Sequence, residues 1–125
     1  IEKQKNEVRA AYMEFYAEGF KNNDMTLIDR VVRYPITYLR DGRVESHDRY
    51  PIDPAALKTE KQWDHSTDWK LEVDAANETY AHVSASATRR RADGSAIEKV
   101  HAFYDFAKED GQWRMYAVAE LTAPV

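Results

Sequence analysis

From Val8 to Phe20 the apolar side chains recur with a helical period. Val8, Ala11, Tyr12, Phe15, Tyr16, Gly19 and Phe20 form one stripe, while Arg9, Glu14, Glu18 and Lys21 occupy the other side. That spacing predicts a single amphipathic helix of about four turns. Asn22-Asn23 can end it, and Asp24 supplies an N-cap acceptor for a short second helix carrying Leu27, Ile28 and Val31. Pro35 is expected to end that second helix, because the residue before a proline is pushed out of the α region. Asp53-Pro54 marks a third start, an acceptor followed by proline at the first helical position, with the helix running to about Gln62.

After Pro35 the period changes to two. Three Asp-Gly pairs, Asp41-Gly42, Asp93-Gly94 and Asp110-Gly111, punctuate strand-like runs and read as hairpin turns. Short strands are expected at Ile36–Arg40 and Arg43–His47, and longer ones at Trp69–Ala76, Thr79–Arg91, Ala96–Ala107 and Gln112–Thr122. Helices followed by a run of antiparallel strands define the α+β class.

Composition narrows the function without naming it. The chain has 125 residues, 43% hydrophobic and 32% charged, which fits one domain spanning 1–125 with an ordinary globular core. With no cysteine there is neither a disulfide framework nor a thiolate metal site nor a cysteine nucleophile. A net charge of −4 disfavours nucleic acid and anionic membranes as partners. No apolar run approaches the roughly 18 residues of a membrane span, and the polar start Ile1–Asn6 is unlike a signal peptide. The expected compartment is the cytoplasm, with secretion after removal of a signal as the alternative. No Gly-rich phosphate loop and no Gly-x-Ser-x-Gly elbow is present, so no cofactor is expected. His101 and Asp105 lie four residues apart on one strand, roughly 13 Å, too far to share a metal ion.

The order of elements, the helix end Tyr16-Ala17-Glu18-Gly19-Phe20-Lys21-Asn22-Asn23-Asp24, the Ala76-Asn77-Glu78 turn and the stretch Phe106–Arg114 resemble the NTF2-like superfamily. Its relatives include ketosteroid isomerases, SnoaL-type cyclases and scytalone dehydratases. The resemblance implies a cone: three N-terminal helices on a strongly curved, mostly antiparallel sheet, a pocket between them, and frequent homodimers through the sheet's outer face. It also implies that Tyr16 stands where isomerase-like members place an oxyanion donor. Arg40, or Asp41 after a one-residue slip, stands where they keep an aspartate base, Asp41 reading better as a turn residue, and Ala102 replaces their second acidic donor. Ketosteroid isomerisation by that machinery is therefore not expected.

A two-residue turn at Asp93-Gly94 pairs Arg91 with Ala96, Arg89 with Glu98, Ala87 with Val100, Ala85 with Ala102, Val83 with Tyr104 and Ala81 with Phe106. This face is apolar and reads as the inner one. The opposite face carries Ser84, Ser86, His101, Phe103 and a His82–Asp105 pair, and is the expected homodimer surface, with Phe103 an otherwise exposed aromatic. Two registers remain open for the last strand. A tight turn at Asp110-Gly111 turns Met115, Ala117, Ala119 and Leu121 inward, whereas a Gly111 bulge turns Arg114, Tyr116, Val118 and Glu120 inward. In the second case Glu120 is a candidate acid or base beside Tyr16. Arg89-Arg90-Arg91 reads as a solvated strand end. Trp63, His65 and Trp69 can roof the pocket mouth, Trp69 reading better as core.

The expected ligand wall comprises Tyr12, Tyr16, Tyr38, Val83, Ala85, Ala102 and Tyr104, with Arg40 drawing an acidic or phenolic group to the mouth. The expected function is binding of a small apolar or ring-bearing molecule. The alternatives are a cofactor-independent lyase or isomerase using Tyr16 with Glu120 or a histidine, and a non-catalytic dimeric accessory domain.

Overall fold

In the computed structural model, which describes residues 1–125, the predicted apolar stripe lies on one unbroken helical segment. It begins as α1 (Glu2–Ala11), widens into a π-helical stretch (Tyr12–Ala17) and returns to α-helix in α2 (Glu18–Asn22). Asn23, at φ 55°, closes α2 in the left-handed conformation. Asp24 then caps α3 (Met25–Val31), its Oδ1 accepting from the N–H of Thr26 (3.0 Å) and of Leu27 (3.3 Å). The two helices cross at Gly19, where an added Cβ would lie 2.6 Å from Ile28 Cγ1 and 3.0 Å from the Asp24 carbonyl oxygen.

Pro35 does not end α3. The helix stops at Val31 and β1 (Val32–Arg40) starts at once, so Pro35 lies inside a strand. It sits where the register between β1 and β6 shifts, between Val32 and Thr37, and a bulge is where a residue without an N–H fits a sheet. After β1 come β2 (Arg43–His47), α4 (Pro54–Lys61), β3 (His65–Ala76), β4 (Tyr80–Arg90), β5 (Ala96–Glu109) and β6 (Gln112–Pro124). Asp53 caps α4 as expected, accepting from Ala55 N–H at 3.0 Å. β3 starts four residues earlier than its apolar alternation suggests, because the polar residues His65, Ser66 and Thr67 pair with β4 ahead of a break in register at Asp68 and Trp69.

The six strands form one sheet in the order β2-β1-β6-β5-β4-β3. All neighbours are antiparallel except β1 and β6, which run parallel. Breaks in register on β1, β3, β5 and β6 sharpen the twist and curve the sheet around the helices. Between β4 and β5 the pairs Arg89–Glu98, Ala87–Val100, Ala85–Ala102, Val83–Tyr104 and Ala81–Phe106 are all present. Only the turn differs: Ala96 faces Arg90 instead of Arg91, one residue having been absorbed next to the loop.

β6 follows neither single register. The turn at Asp110-Gly111 is tight, pairing Glu109 with Gln112 and burying Trp113 and Met115. Past a shift between Asp105 and Phe106, with Tyr116 as the extra residue, Val118 and Glu120 face inward instead. The core joins Val8, Tyr12 and Tyr16 of the long helix to Val83, Tyr104, Phe106, Met115 and Val118 of the sheet. No helix is long and apolar enough to cross a membrane.

Gly19→Ala should destabilise the protein by about 1–3 kcal/mol through overpacking at the helix crossing. Urea unfolding checks this. An unchanged midpoint would show that α3 can retreat from α2 without loss.

Candidate functional site

Five of the tyrosines meet where the long helix faces the sheet. Tyr12 and Tyr16 lie one turn apart with ring centroids 5.2 Å from each other, and Tyr104 of β5 stands edge-on to both at 5.1 Å. Tyr50, from the segment between β2 and α4, shares a hydrogen bond between its hydroxyl and that of Tyr16. Its ring lies 6.2 Å from that of Tyr38 on β1. Burial pushes the phenols of Tyr12, Tyr16, Tyr38 and Tyr50 well above their ordinary value. They are hydrogen-bond donors at any physiological pH and cannot serve as bases.

In front of this wall is a cavity of about 520 Å³. Ala85 and Ala102, paired across β4 and β5, form part of its floor and leave it open because they have no side chain beyond Cβ. α4 covers one side, fastened by Lys58, whose ammonium donates to the Phe20 carbonyl (2.5 Å) and to Asn23 Oδ1 (2.7 Å). A cation at the carboxyl end of α2 also opposes the helix dipole. Trp63, His65 and Trp69 line the mouth. Trp69 is not core: it is 47% exposed and lines the cavity.

The far wall is charged. Arg89, read from the sequence as part of a solvated strand end, is buried, with a side chain only 7% exposed. Its Nη1 donates to Glu98 Oε2 at 2.7 Å, and Nη2 lies 3.4 Å from Glu120 Oε1. Its guanidinium sits 4.6 Å from the centre of the Trp63 ring, a cation–π contact. Lys61, at the end of α4, holds Glu98 from the other side at 2.8 Å. Burial pushes the Glu98 carboxyl up, but the hydrogen bonds from Lys61 and Arg89 outweigh it and hold the group below its usual value. Glu120 accepts from the Tyr38 hydroxyl at 2.7 Å. It therefore stands beside a guanidinium and a phenol, not in purely apolar surroundings.

Tyr12, Tyr16, Tyr38, Ala85, Ala102, Tyr104 and Glu120 all line this cavity. Val83 does not: it is fully buried in the core behind the floor. Arg40 does not either. It turns to Glu45 on the neighbouring strand (3.2 Å) and covers the back of the Tyr38 ring at 5.1 Å, so it cannot draw a group to the mouth. The residues missed from sequence are Tyr50, Arg89, Glu98, Lys58 and Lys61. Arg89 and Glu98 carried a usable signal, since a cation and an anion faced each other on the alanine-rich side. No group of three His, Cys, Asp or Glu side chains converges on a point. Chemically, the arrangement offers phenol donors at one end and a carboxylate acceptor at the other.

A family model described as "NTF2-like protein (DUF6841)" matches residues 55–123. Similar solved structures include a conserved protein from Planctomyces limnophilus, 17% identical, with a TM-score of 0.65 and 95% of each chain covered. An NTF2-like protein of unknown function from Shewanella baltica is 18% identical, with a TM-score of 0.60 and 96% of each chain covered. An NTF2-like protein from Cytophaga hutchinsonii is 13% identical, with a TM-score of 0.64, covering 94% of this chain and 98% of that one. At these identities the likeness is one of fold. No curated protein sequence matches.

Because the Glu98 carboxyl is held below its ordinary 4.5, its ion pairs add stability above that pH, and the contribution is lost as pH falls through the folded value. Lys61→Met removes one of the two hydrogen bonds that oppose burial. The melting temperature of the variant should then fall less on acidification than that of the parent, because the folded and unfolded carboxyls titrate closer together. Parallel melting-temperature curves across the acid range would show that Lys61 does not hold Glu98.

Proposed function

The chain belongs to the NTF2-like family DUF6841, and we propose that it binds a small, largely apolar, ring-bearing molecule in the cavity between the long helix and the sheet. The observation that carries this reading is the cavity itself. Its volume of about 520 Å³ lies within the range of small-molecule sites, and 15 of its 23 lining residues are hydrophobic. Aromatic faces from Tyr12, Tyr16, Phe20, Trp63 and Trp69 suit flat rings, and the few polar groups, set at two ends, suit one or two oxygens on the ligand. An accessory domain with no ligand would be expected to fill this space with side chains, yet alanines stand on the floor.

A second reading, a cofactor-independent lyase or isomerase, is favoured by one observation. Tyr16, a buried donor, and Glu120, an acceptor, line the same cavity. Catalysis needs such groups to converge on one bound molecule. Glu120→Gln separates the readings, since proton transfer contributes a factor of roughly 10²–10⁴ to turnover while binding needs only the acceptor.

The same chain is proposed to self-associate through the outer face. Phe103 there is half-buried, stacked with the imidazoles of His101 (4.7 Å) and His82 (5.7 Å), the latter paired with Asp105 at 2.6 Å. Sedimentation at micromolar concentration should show a dimer that Phe103→Glu dissociates, and a monomeric parent would refute the assignment.

Organic extraction of the purified protein followed by mass spectrometry should release a ring-bearing small molecule, or a screen of such molecules should raise the melting temperature. Ala102→Phe, which projects a ring into the open floor, should weaken binding by about tenfold or more, some 1.4 kcal/mol, with the fold retained. Tyr16→Phe, which deletes one hydroxyl, should weaken it by about 0.5–1.5 kcal/mol. Unaltered binding in Ala102→Phe would place the ligand elsewhere.

A further inference from the structure

A row of four charges that sums to zero runs through the far wall; Arg89 and Glu120 line the cavity, and Lys61 and Glu98 stand behind them. Lys61 and Arg89 contribute two positive charges, Glu98 and Glu120 two negative ones, and they alternate in space: Lys61 to Glu98 at 2.8 Å, Glu98 to Arg89 at 2.7 Å, Arg89 to Glu120 at 3.4 Å. Arg89 is held by these carboxylates and by the Trp63 ring, and its buried Nε is left without an acceptor. Glu120 is held less tightly. One oxygen takes a good hydrogen bond from Tyr38, and the other has only the long contact to Arg89. A carboxylate has about four lone-pair sites, so Glu120 faces the cavity with acceptor capacity to spare.

Resting on the binding reading above, we propose that the ligand is uncharged and donates a hydrogen bond, from a hydroxyl or an N–H, to Glu120. Arg89 lines the cavity but is already paired with Glu98 and Glu120, so an anionic ligand on it would crowd a third negative group against those two carboxylates beside an apolar wall. A cationic ligand would compete with Arg89 for Glu120. It would also bring a further positive charge into a space already lined by the two lysines Lys21 and Lys58 against one further carboxylate, Asp64, which is hydrogen-bonded to His65 at 2.9 Å. A neutral donor satisfies the open lone pair of Glu120 and leaves the alternating row intact. Arg40, the residue that favoured an acidic ligand in the sequence, is already paired with Glu45 outside the cavity.

The test uses four two-ring probes of similar shape: naphthylethanol, naphthylacetate, naphthylethylamine and the methyl ether of naphthylethanol. Binding of each to the full chain at neutral pH is measured by calorimetry. The alcohol should bind about tenfold tighter than each of the other three. In Glu120→Gln, checked for native circular dichroism, the gap between alcohol and acetate should close, because the repelling charge is gone. Acetate or amine binding as tightly as the alcohol would overturn the charge argument while leaving the cavity a binding site. Ether matching alcohol would overturn the donor to Glu120. Failure of all four probes, in the parent as in Ala102→Phe, would overturn the binding reading beneath it. The ranking among probes on the parent protein stands whether or not the variant folds.

Discussion

Side chains alternate along a strand, so a regular strand can feed one environment with only every second residue. β6 must feed two. Near its start Trp113 enters the core, its indole N–H donating to Glu7 on α1 at 3.1 Å, and Met115 is fully buried beside it. Near its end Val118 and Glu120 line the cavity. Odd and even positions cannot both point inward without an extra residue, and Tyr116 is that residue. Without the bulge Glu120 would lie on the outer face, the Tyr38 hydroxyl would lose its acceptor, and Arg89 would keep one carboxylate instead of two. The charged wall depends on that single irregularity.

The cavity owes its character to two kinds of burial on opposite sides. On the helix side, burial raises the tyrosines so far that they remain neutral donors. On the sheet side, ionised groups are tolerated because each has an opposite neighbour, the usual condition for charges removed from water. α4 belongs to both. Lys58 ties it to the end of α2 and Lys61 ties it to Glu98 on β5, so the cover of the cavity is also part of its electrostatics.

Much of this architecture is readable in the sequence where a local signal and a packing demand agree. Asp93-Gly94 marks a turn, the alternation of Ala81, Val83, Ala85 and Ala87 fixes the inner face, and together they give the β4–β5 pairs from Arg89–Glu98 to Ala81–Phe106, with only the turn itself departing. The tyrosine wall follows in the same way from the helical stripe. What escaped has a common cause, in that tertiary pairing replaced the local signal. His65–Thr67 joins the sheet with no apolar alternation to announce it. Pro35 is read as a stop but is accommodated at a break in register. Arg89 hides in a run of three arginines, and its burial makes sense only with Glu98 and Glu120 brought beside it. The face switch in β6 has no glycine to mark it, and either register alone accounts for half of the strand.

The widened turn between Tyr12 and Ala17 bears on how this chain can diverge. In a π-helical stretch each backbone bond spans one residue more than in an α-helix, so the segment holds a residue that an ordinary helix would not. Removing one residue there would tighten the coil and rotate everything before it by about 100° around the axis. Val8, fully buried now, would turn away from the sheet. Substitutions at the exposed Met13 or Glu14 leave that phase untouched. Through this segment descendants are free to vary in spelling but not in length, and the imprint of the cavity on the gene is the count of codons as much as their identity.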